Sequence, residues 1–141
     1  MEAKIMDERD VMDESFYETT KQIFDSERLS ALHELMIAEE KEILNTKGQD
    51  YTQRDKDRLA NFKNVARDLG VEPEVAWAVY FMKHIHAIMT WVKTGKVESE
   101  GLEGRFADIR NYALLGRAIY EEKTREDLDE IYNKLKKLQK S

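Results

Sequence analysis

The chain lacks the features that mark several large classes of protein. It has no cysteine, which excludes a disulfide framework and thiolate metal sites. Proline occurs once and glycine six times in 141 residues, and helices accommodate so few chain breakers better than a many-turned β protein does. Long apolar runs are also missing, because the longest, residues 75–82, is far shorter than the roughly 20 residues that span a bilayer.

An excess of basic residues is absent as well. Lys and Arg number 23 against 29 Asp and Glu, for a net charge of −6. A broad surface for duplex nucleic acid normally requires a basic face, so the balance argues against one and leaves room for a local basic pocket that holds a single small anion. Residues 1–13 are acidic rather than basic and then apolar, so we expect no signal peptide, no membrane partner and a cytoplasmic location.

What the chain does contain is 41% apolar and 37% charged residues, a mixture typical of a soluble helical protein. We expect an all-α fold: residues 1–141 as a single domain, a bundle of about five to six helices around a long buried central helix. We expect residues 1–12 to form an N-terminal arm. Helical periodicity predicts helices at residues 13–24, 26–47, 59–69, 73–94, 102–116 and 124–140.

Chain breakers and apolar faces set the details of this prediction. Gly48 and Gly70 are expected to end helices, and Pro73 to begin the apolar central one. Residues 48–55 read as a polar loop. The inner face of the next helix is predicted from its apolar spacing at Leu102, Phe106, Ile109, Ala113 and Gly116.

The C-terminal residues 124–140 are predicted to form an amphipathic helix. Thr124 and Asp127 resemble a capping box. A narrow apolar stripe with a period of 3.5 residues then follows at Leu128, Ile131, Leu135 and Leu138. Such a stripe makes a two-helix seam, either on its own bundle or on another subunit, and we expect a homo-oligomer.

Two stretches combine polar side chains in a pattern suited to an anion. Tyr80 and His84 share one face of the central helix, and Lys83 lies one step round, where a buried cation requires a partner or a ligand. Arg105, Asp108 and Tyr112 fall at i, i+3 and i+7 of the next helix, with Asn111 beside Asp108. If the two turns meet, they form either a positive pocket for phosphate oxygens or a purely structural ion-pair network.

Weaker candidates lie elsewhere. Lys47, Asp50 and Tyr51 lie in or beside the predicted loop, where Tyr51 could stack on a base. Glu39 and Glu42 have the E-x-x-E spacing of a magnesium site, although the same spacing is common on solvated helix surfaces. We find no nucleophile–base motif, glycine-rich phosphate loop or zinc spacing, and therefore predict no catalytic residue and no cofactor.

Four segments carry a resemblance to a known group. K-G-Q-D-Y (47–51), L-A-N-F-K-N-V-A (59–66), Y-F-M-K-H (80–84) and S-E-G-L-E-G-R-F-A-D-I-R-N-Y-A-L-L (99–115) resemble small helical phage proteins of the nucleotide-modification-associated domain type. The resemblance covers about residues 44–120. It implies a phage origin, a location in the bacterial host cell and a role that touches nucleotides.

The bundle is more distantly similar to MazG-like all-α nucleoside-triphosphate pyrophosphohydrolases. Those enzymes bind Mg²⁺ through E-x-x-E on one central helix and E-x-x-D on the next. Here Tyr80 and Lys83 stand where the first pair is expected, and Arg105 precedes Asp108. Cations in place of ligands repel a metal and attract phosphates, so this departure puts hydrolysis in doubt and leaves nucleotide binding in place.

Three functions follow as hypotheses. The first is a non-catalytic binder of a small nucleotide, which in a phage could sequester a cyclic nucleotide of host immune signalling. Phosphate would contact Lys83, His84 and Arg105. Asp108 and Asn111 would orient these side chains or read the base or ribose, and Tyr51 or Tyr112 would stack on the base.

The second is a Mg²⁺-dependent nucleotide pyrophosphohydrolase or an accessory of modified-nucleotide synthesis. Its metal ligands would come from Glu39, Glu42, Glu100, Glu103 and Asp108. The third is an interaction protein with no small ligand.

Overall fold

The computed structural model describes residues 22–52, 56–96 and 101–140, with side chains described only up to residue 46 in the first range. These residues form α-helices and no strand, so the all-α class is confirmed. The helices are α1 (Ser26–Thr52), α2 (Ala60–Leu69), α3 (Pro73–Thr94), α4 (Glu103–Thr124) and α5 (Glu130–Gln139). None of them is both long and apolar enough to cross a membrane.

The chain divides between Leu35 and Met36 into two compact units. In the first unit, Asp25 caps α1: its Oδ1 accepts the backbone N–H of Arg28 at 2.8 Å. The predicted arm, residues 1–12, and most of the predicted helix 13–24 lie outside the described residues, and residues 22–24 are not helical. The assignment of residues 1–141 to a single domain stays a prediction. The features below belong to the second unit, Met36–Ser141.

The end of α1 corrects one prediction. The helix continues through Gly48 to Thr52, so residues 48–52 are helical rather than a loop. Glycine inside a helix costs only about 1 kcal/mol relative to alanine. No proline follows Gly48 in this stretch to stop the helix. A lone glycine was therefore too weak a signal for a helix end.

Aspartate turns begin the two shortest helices. The Asp57 carboxylate accepts the N–H of Leu59 at 2.9 Å at the start of α2, and Asp127 accepts the N–H of Asp129 at 3.0 Å before α5. Aspartate is favoured there because its side chain satisfies a donor that the first turn leaves unpaired. The predicted capping box was wrong, since Thr124 is the last residue of α4 and its hydroxyl donates to the carbonyl of Tyr120.

The described core lies where α3 contacts both α2 and α4. Gly70 ends α2 in the left-handed conformation at φ 70°, and Pro73 occupies the first turn of α3, so both predicted boundaries are confirmed. The buried residues of this core are Leu59, Phe62, Ala66, Ala76 and Ile119. Trp77 packs at its edge and donates its indole N–H to the carbonyl of Tyr112 at 2.7 Å.

The buried face of α4 differs from the predicted one. The structure buries Ala107, Asn111, Ile119 and Glu121, whereas Phe106 is 41% exposed and Ala113 is also exposed. Of the predicted face, Leu102 and Ile109 are half-buried, and Gly116 sits against the indole of Trp77. The apolar spacing misplaced the face because small and polar side chains fill much of the contact with α3.

Burial of α3 along its whole length is not confirmed. Only Ala76 and His84 are buried, while six large apolar side chains of this helix are exposed. These are Val75, Val79, Met82, Met89, Trp91 and Val92. The C-terminal helix exists as predicted but is shorter, and it has no buried residue.

Candidate functional site

A polar cluster forms where the middle of α3 faces the first half of α4. His84 is one of the two buried residues of α3. Its Nδ1 lies 3.4 Å from Nη1 of Arg105 and 3.5 Å from Oδ2 of Asp108. The lysine–histidine turn and the arginine–aspartate turn therefore meet through His84. We call His84, Arg105 and Asp108 the α3–α4 polar cluster.

The two contacts of the imidazole place opposite demands on Nδ1. Arginine only donates hydrogen bonds, so its contact requires a lone pair on Nδ1, whereas the carboxylate of Asp108 accepts from an Nδ1–H. Both distances exceed the roughly 2.7–3.2 Å of a typical N–H···O bond, so each contact is weak. The cluster thus joins a guanidinium, an imidazole and a carboxylate in a half-buried place. Which of the two hydrogen bonds forms depends on whether Nδ1 of His84 carries a hydrogen.

Aromatic rings support the cluster from within the core. The ring of Tyr112 lies 5.1 Å from the imidazole of His84. Tyr80 stacks on Tyr112 with ring centroids 6.3 Å apart, and Phe62 lies 6.0 and 6.2 Å from these two rings. Tyr80 and His84 share a face as the i, i+4 spacing predicted, and this face points inward. The imidazole therefore packs beside Tyr112 at the edge of this aromatic group.

Asn111 contributes an unusual buried acceptor one turn from Asp108. The residue is only 5% exposed, and its Nδ2 donates to the carbonyl of Ala107 at 3.1 Å. Its Oδ1 is buried and accepts no hydrogen bond from any described residue. A buried polar atom without a partner is costly, so the effect of Asn111 on stability depends on what surrounds its side chain.

Lys83 does not occupy the place expected for it. The side chain is exposed, like that of His86 on the same face of α3. The cost of burying a cation, which made Lys83 conspicuous in the sequence, therefore does not apply. Its neighbour His84 lies inward because one residue turns an α-helix by about 100°.

The remaining predicted residues lie outside this cluster or outside the description. Lys47, Asp50 and Tyr51 belong to the helical backbone of α1, and their side chains are outside the described residues. Among the proposed metal ligands, Glu100 is outside the described residues, whereas Glu42 and Glu103 are exposed. Within the described ranges, no three His, Asp or Glu side chains lie together in a way that could hold a metal ion.

Two charged contacts of α4 were missed in the sequence. Glu121 is buried and accepts from Nε of Arg117 at 2.6 Å and Nε of Arg125 at 2.7 Å. First Arg125 and then Arg117 hold the pKa of Glu121 below its ordinary value. The spacing Arg–x₃–Glu–x₃–Arg was visible and could have revealed this set.

The second contact links α4 to α1. Nη2 of Arg110 lies 2.7 Å from Oε2 of Glu40. Glu40 lies between Glu39 and Glu42, the two residues considered for magnesium, and it pairs with a cation instead. No spacing rule connects positions so far apart in the chain, so no sequence pattern indicated this pair.

Comparison with known proteins adds no relative. No protein-family model matches the chain, and neither the curated proteins nor the solved structures contain a significant match.

Proposed function

We propose that the protein binds a small nucleotide without converting it, and that a phosphate of this ligand contacts the α3–α4 polar cluster. The observation that carries the proposal is the approach of Arg105 and His84 from different helices to within 3.4 Å. Because the two side chains belong to separate helices, the fold itself holds them together. Sites for small ligands in helical bundles commonly lie between helices in this way.

The chemistry of the cluster favours an oxyanion. The guanidinium of Arg105 presents a planar fork of donors that matches two phosphate oxygens at once. His84 adds a donor when its imidazole is protonated or in the suitable tautomer. Asp108, 3.5 Å from Nδ1, can hold the imidazole in the orientation that donates. Lys83 precedes His84 by one residue and is exposed, so it would add a positive charge outside the cluster.

The cluster specifies the phosphate and not the base. Tyr112 already stacks on Tyr80, so its ring is part of the support of the site. Base recognition would fall to other groups, of which Tyr51 is the candidate from the sequence. Both linear and cyclic nucleotides therefore belong among the ligands to be tested. If the phage resemblance holds, a cyclic nucleotide of host signalling would suit binding without turnover.

Calorimetric titration of the purified protein with linear and cyclic nucleotides tests the proposal. We expect heat with at least one ligand and a loss of affinity of about 10–100-fold in Arg105→Gln, since a charge-assisted hydrogen bond contributes about 1.5–3 kcal/mol. Arg117→Gln is the matched control, because this side chain is 67% exposed and lies on the same helix. Absence of heat with every nucleotide, or equal loss in both variants, would refute the proposal.

Recovery of the ligand separates binding from catalysis. We expect the bound nucleotide to be recovered intact after long incubation with Mg²⁺. Release of pyrophosphate would instead support the hydrolase hypothesis. The far-ultraviolet circular dichroism of Arg105→Gln should match that of the native protein, which would show that the variant loses the site and not the fold.

A further inference from the structure

The α3–α4 polar cluster contains an acidic group beside the groups proposed to receive a phosphate. Oδ2 of Asp108 lies 3.5 Å from Nδ1 of His84, the same ring nitrogen that Nη1 of Arg105 approaches to 3.4 Å. The guanidinium nitrogen and the carboxylate oxygen are therefore no more than about 7 Å apart, a distance at which charges interact strongly in a partly buried place. An oxyanion bound to Arg105 has to tolerate the negative charge of Asp108.

Solvent screens this carboxylate only in part. The side chain of Asp108 is 21% exposed and that of His84 is 11% exposed. Arg105 is half-buried as well. Water and salt weaken the interaction between exposed charges much more than between partly buried ones. The cluster therefore retains most of the repulsion between Asp108 and any additional negative charge on a ligand.

Two neighbouring cations do not offset the charge of Asp108. Arg110 follows Asp108 by two residues, which places it about 200° round α4. Its Nη2 lies 2.7 Å from Oε2 of Glu40, on α1. Lys83 on α3 is exposed, so water and salt screen its charge. Arg105 is the cation that the structure places in contact with His84.

We infer that the cluster selects a phosphodiester, with its single negative charge, over a phosphate monoester, which carries about two at pH 8. The inference rests on the proposed function, because it concerns the phosphate bound at the same site. The charges of Arg105 and Asp108 cancel, so the three groups carry at most one positive charge, when His84 is protonated. A diester matches this charge and still offers two oxygens to the fork of Arg105. Asp108 repels the second charge of a monoester and thereby determines the specificity.

Calorimetric titration at pH 8 with matched ligands tests the inference. The 5′-monophosphates of adenosine, guanosine, cytidine and uridine are each compared with their methyl ester, a linear diester, and with the 3′,5′-cyclic monophosphate. We expect a diester to bind about 10–100-fold more tightly than the monophosphate on the same base. The upper value follows because the second pKa of a monoester is about 6, so about 1% is present as the monoanion at pH 8. The tighter of the two diesters identifies the ligand as linear or cyclic.

Asp108→Asn separates the charge of the side chain from its shape. In this variant the preference for the diester should fall to about threefold or less, because the repulsion is removed. Comparing two ligands on one protein cancels any general weakening that comes from a reoriented His84. Asp68→Asn is the matched control, the same substitution at an exposed position of α2, and should keep the preference.

Two kinds of failure can be told apart. Equal or tighter binding of the monophosphate by the native protein would overturn the inference and leave nucleotide binding in place. A preference that survives Asp108→Asn, or that falls equally in Asp68→Asn, would do the same. Absence of heat with every ligand would overturn the proposed function and the inference together.

Discussion

Replacement of Gly116 by alanine should destabilise the protein, although alanine is the better helix former. An added Cβ would lie 2.4 Å from Cζ2 and 2.6 Å from Cε2 of Trp77, so the indole has to move. The ring is held on both sides: it stacks on Phe81 with centroids 4.9 Å apart, and Nε1 donates to the carbonyl of Tyr112 at 2.7 Å. The same carbonyl is the regular helical acceptor for the N–H of Gly116.

The magnitude follows from three contributions. Forcing a large group out of a packed contact costs about 1–3 kcal/mol, and loss of the indole hydrogen bond adds about 1 kcal/mol. The higher helix propensity of alanine offsets up to about 1 kcal/mol. We therefore expect the free energy of unfolding in urea to fall by about 1–3 kcal/mol.

Gly104→Ala is the matched control on the same helix. A Cβ at this position meets nothing within 4 Å, so only the gain in propensity remains and the free energy of unfolding should stay equal or rise. If Gly116→Ala proves as stable as the native chain, or if the two variants behave alike, the close contact between Trp77 and α4 is not what the structure indicates.

Three further predictions concern buried or paired polar groups. Glu121→Gln should reduce the loss of stability that the native protein shows when the pH is lowered. Because the pKa of Glu121 is lowered in the folded state, its ionised carboxylate stabilises the protein above the ordinary value of 4.5, and this stability is lost as the pH falls through the folded value. Lys63→Met should remove up to about 1 kcal/mol, because Lys63 bridges Asp57 at 2.5 Å and Glu122 at 2.7 Å. Its hydrogen bonds to Asp57 and then Glu122 raise the pKa of Lys63, so this stability is present below pH 10.5 and is lost as the pH rises through the raised value. Asn111→Leu should be nearly neutral in urea denaturation, whereas Asn111→Asp should destabilise by about 2 kcal/mol or more, since it buries a charge. The reasoning would be contradicted if Glu121→Gln left the dependence of stability on pH unchanged, or if Lys63→Met lost the same amount of stability at high pH as the native chain. It would also be contradicted if Asn111→Asp were as stable as the native chain.

The helix boundaries that could be predicted are those with a strong local cause. Gly70 takes a left-handed conformation and Pro73 fixes the first turn of α3, and both effects act within a few residues. Gly48 shows the limit of this reasoning, because a glycine that is not forced to positive φ costs too little to stop a helix. Composition and periodicity therefore identified the class of fold better than the individual ends.

The inner face of α4 shows why apolar periodicity was not enough. The face is occupied by Ala107 and Asn111, which score poorly as core residues, while the larger Phe106 is exposed. The cluster itself could be predicted in part, since i, i+3 and i+7 spacing fixes a face without reference to hydrophobicity. The rotation of α3 about its axis decides that His84 rather than Lys83 completes the cluster. Patterns in a single sequence do not determine this rotation.

Packing at Gly116 also connects stability to the proposed site. Trp77 precedes His84 by two turns of α3, and Gly116 follows Asp108 by about two turns of the antiparallel α4, so the two contacts are only about 10 Å apart. The close approach of the indole to the backbone of α4 sets the separation of the helices there. A wider separation would lengthen the 3.4 Å contact between Arg105 and His84. If the cluster binds phosphate, Gly116→Ala should weaken the affinity for nucleotide even at temperatures where the variant is fully folded, whereas Gly104→Ala should not.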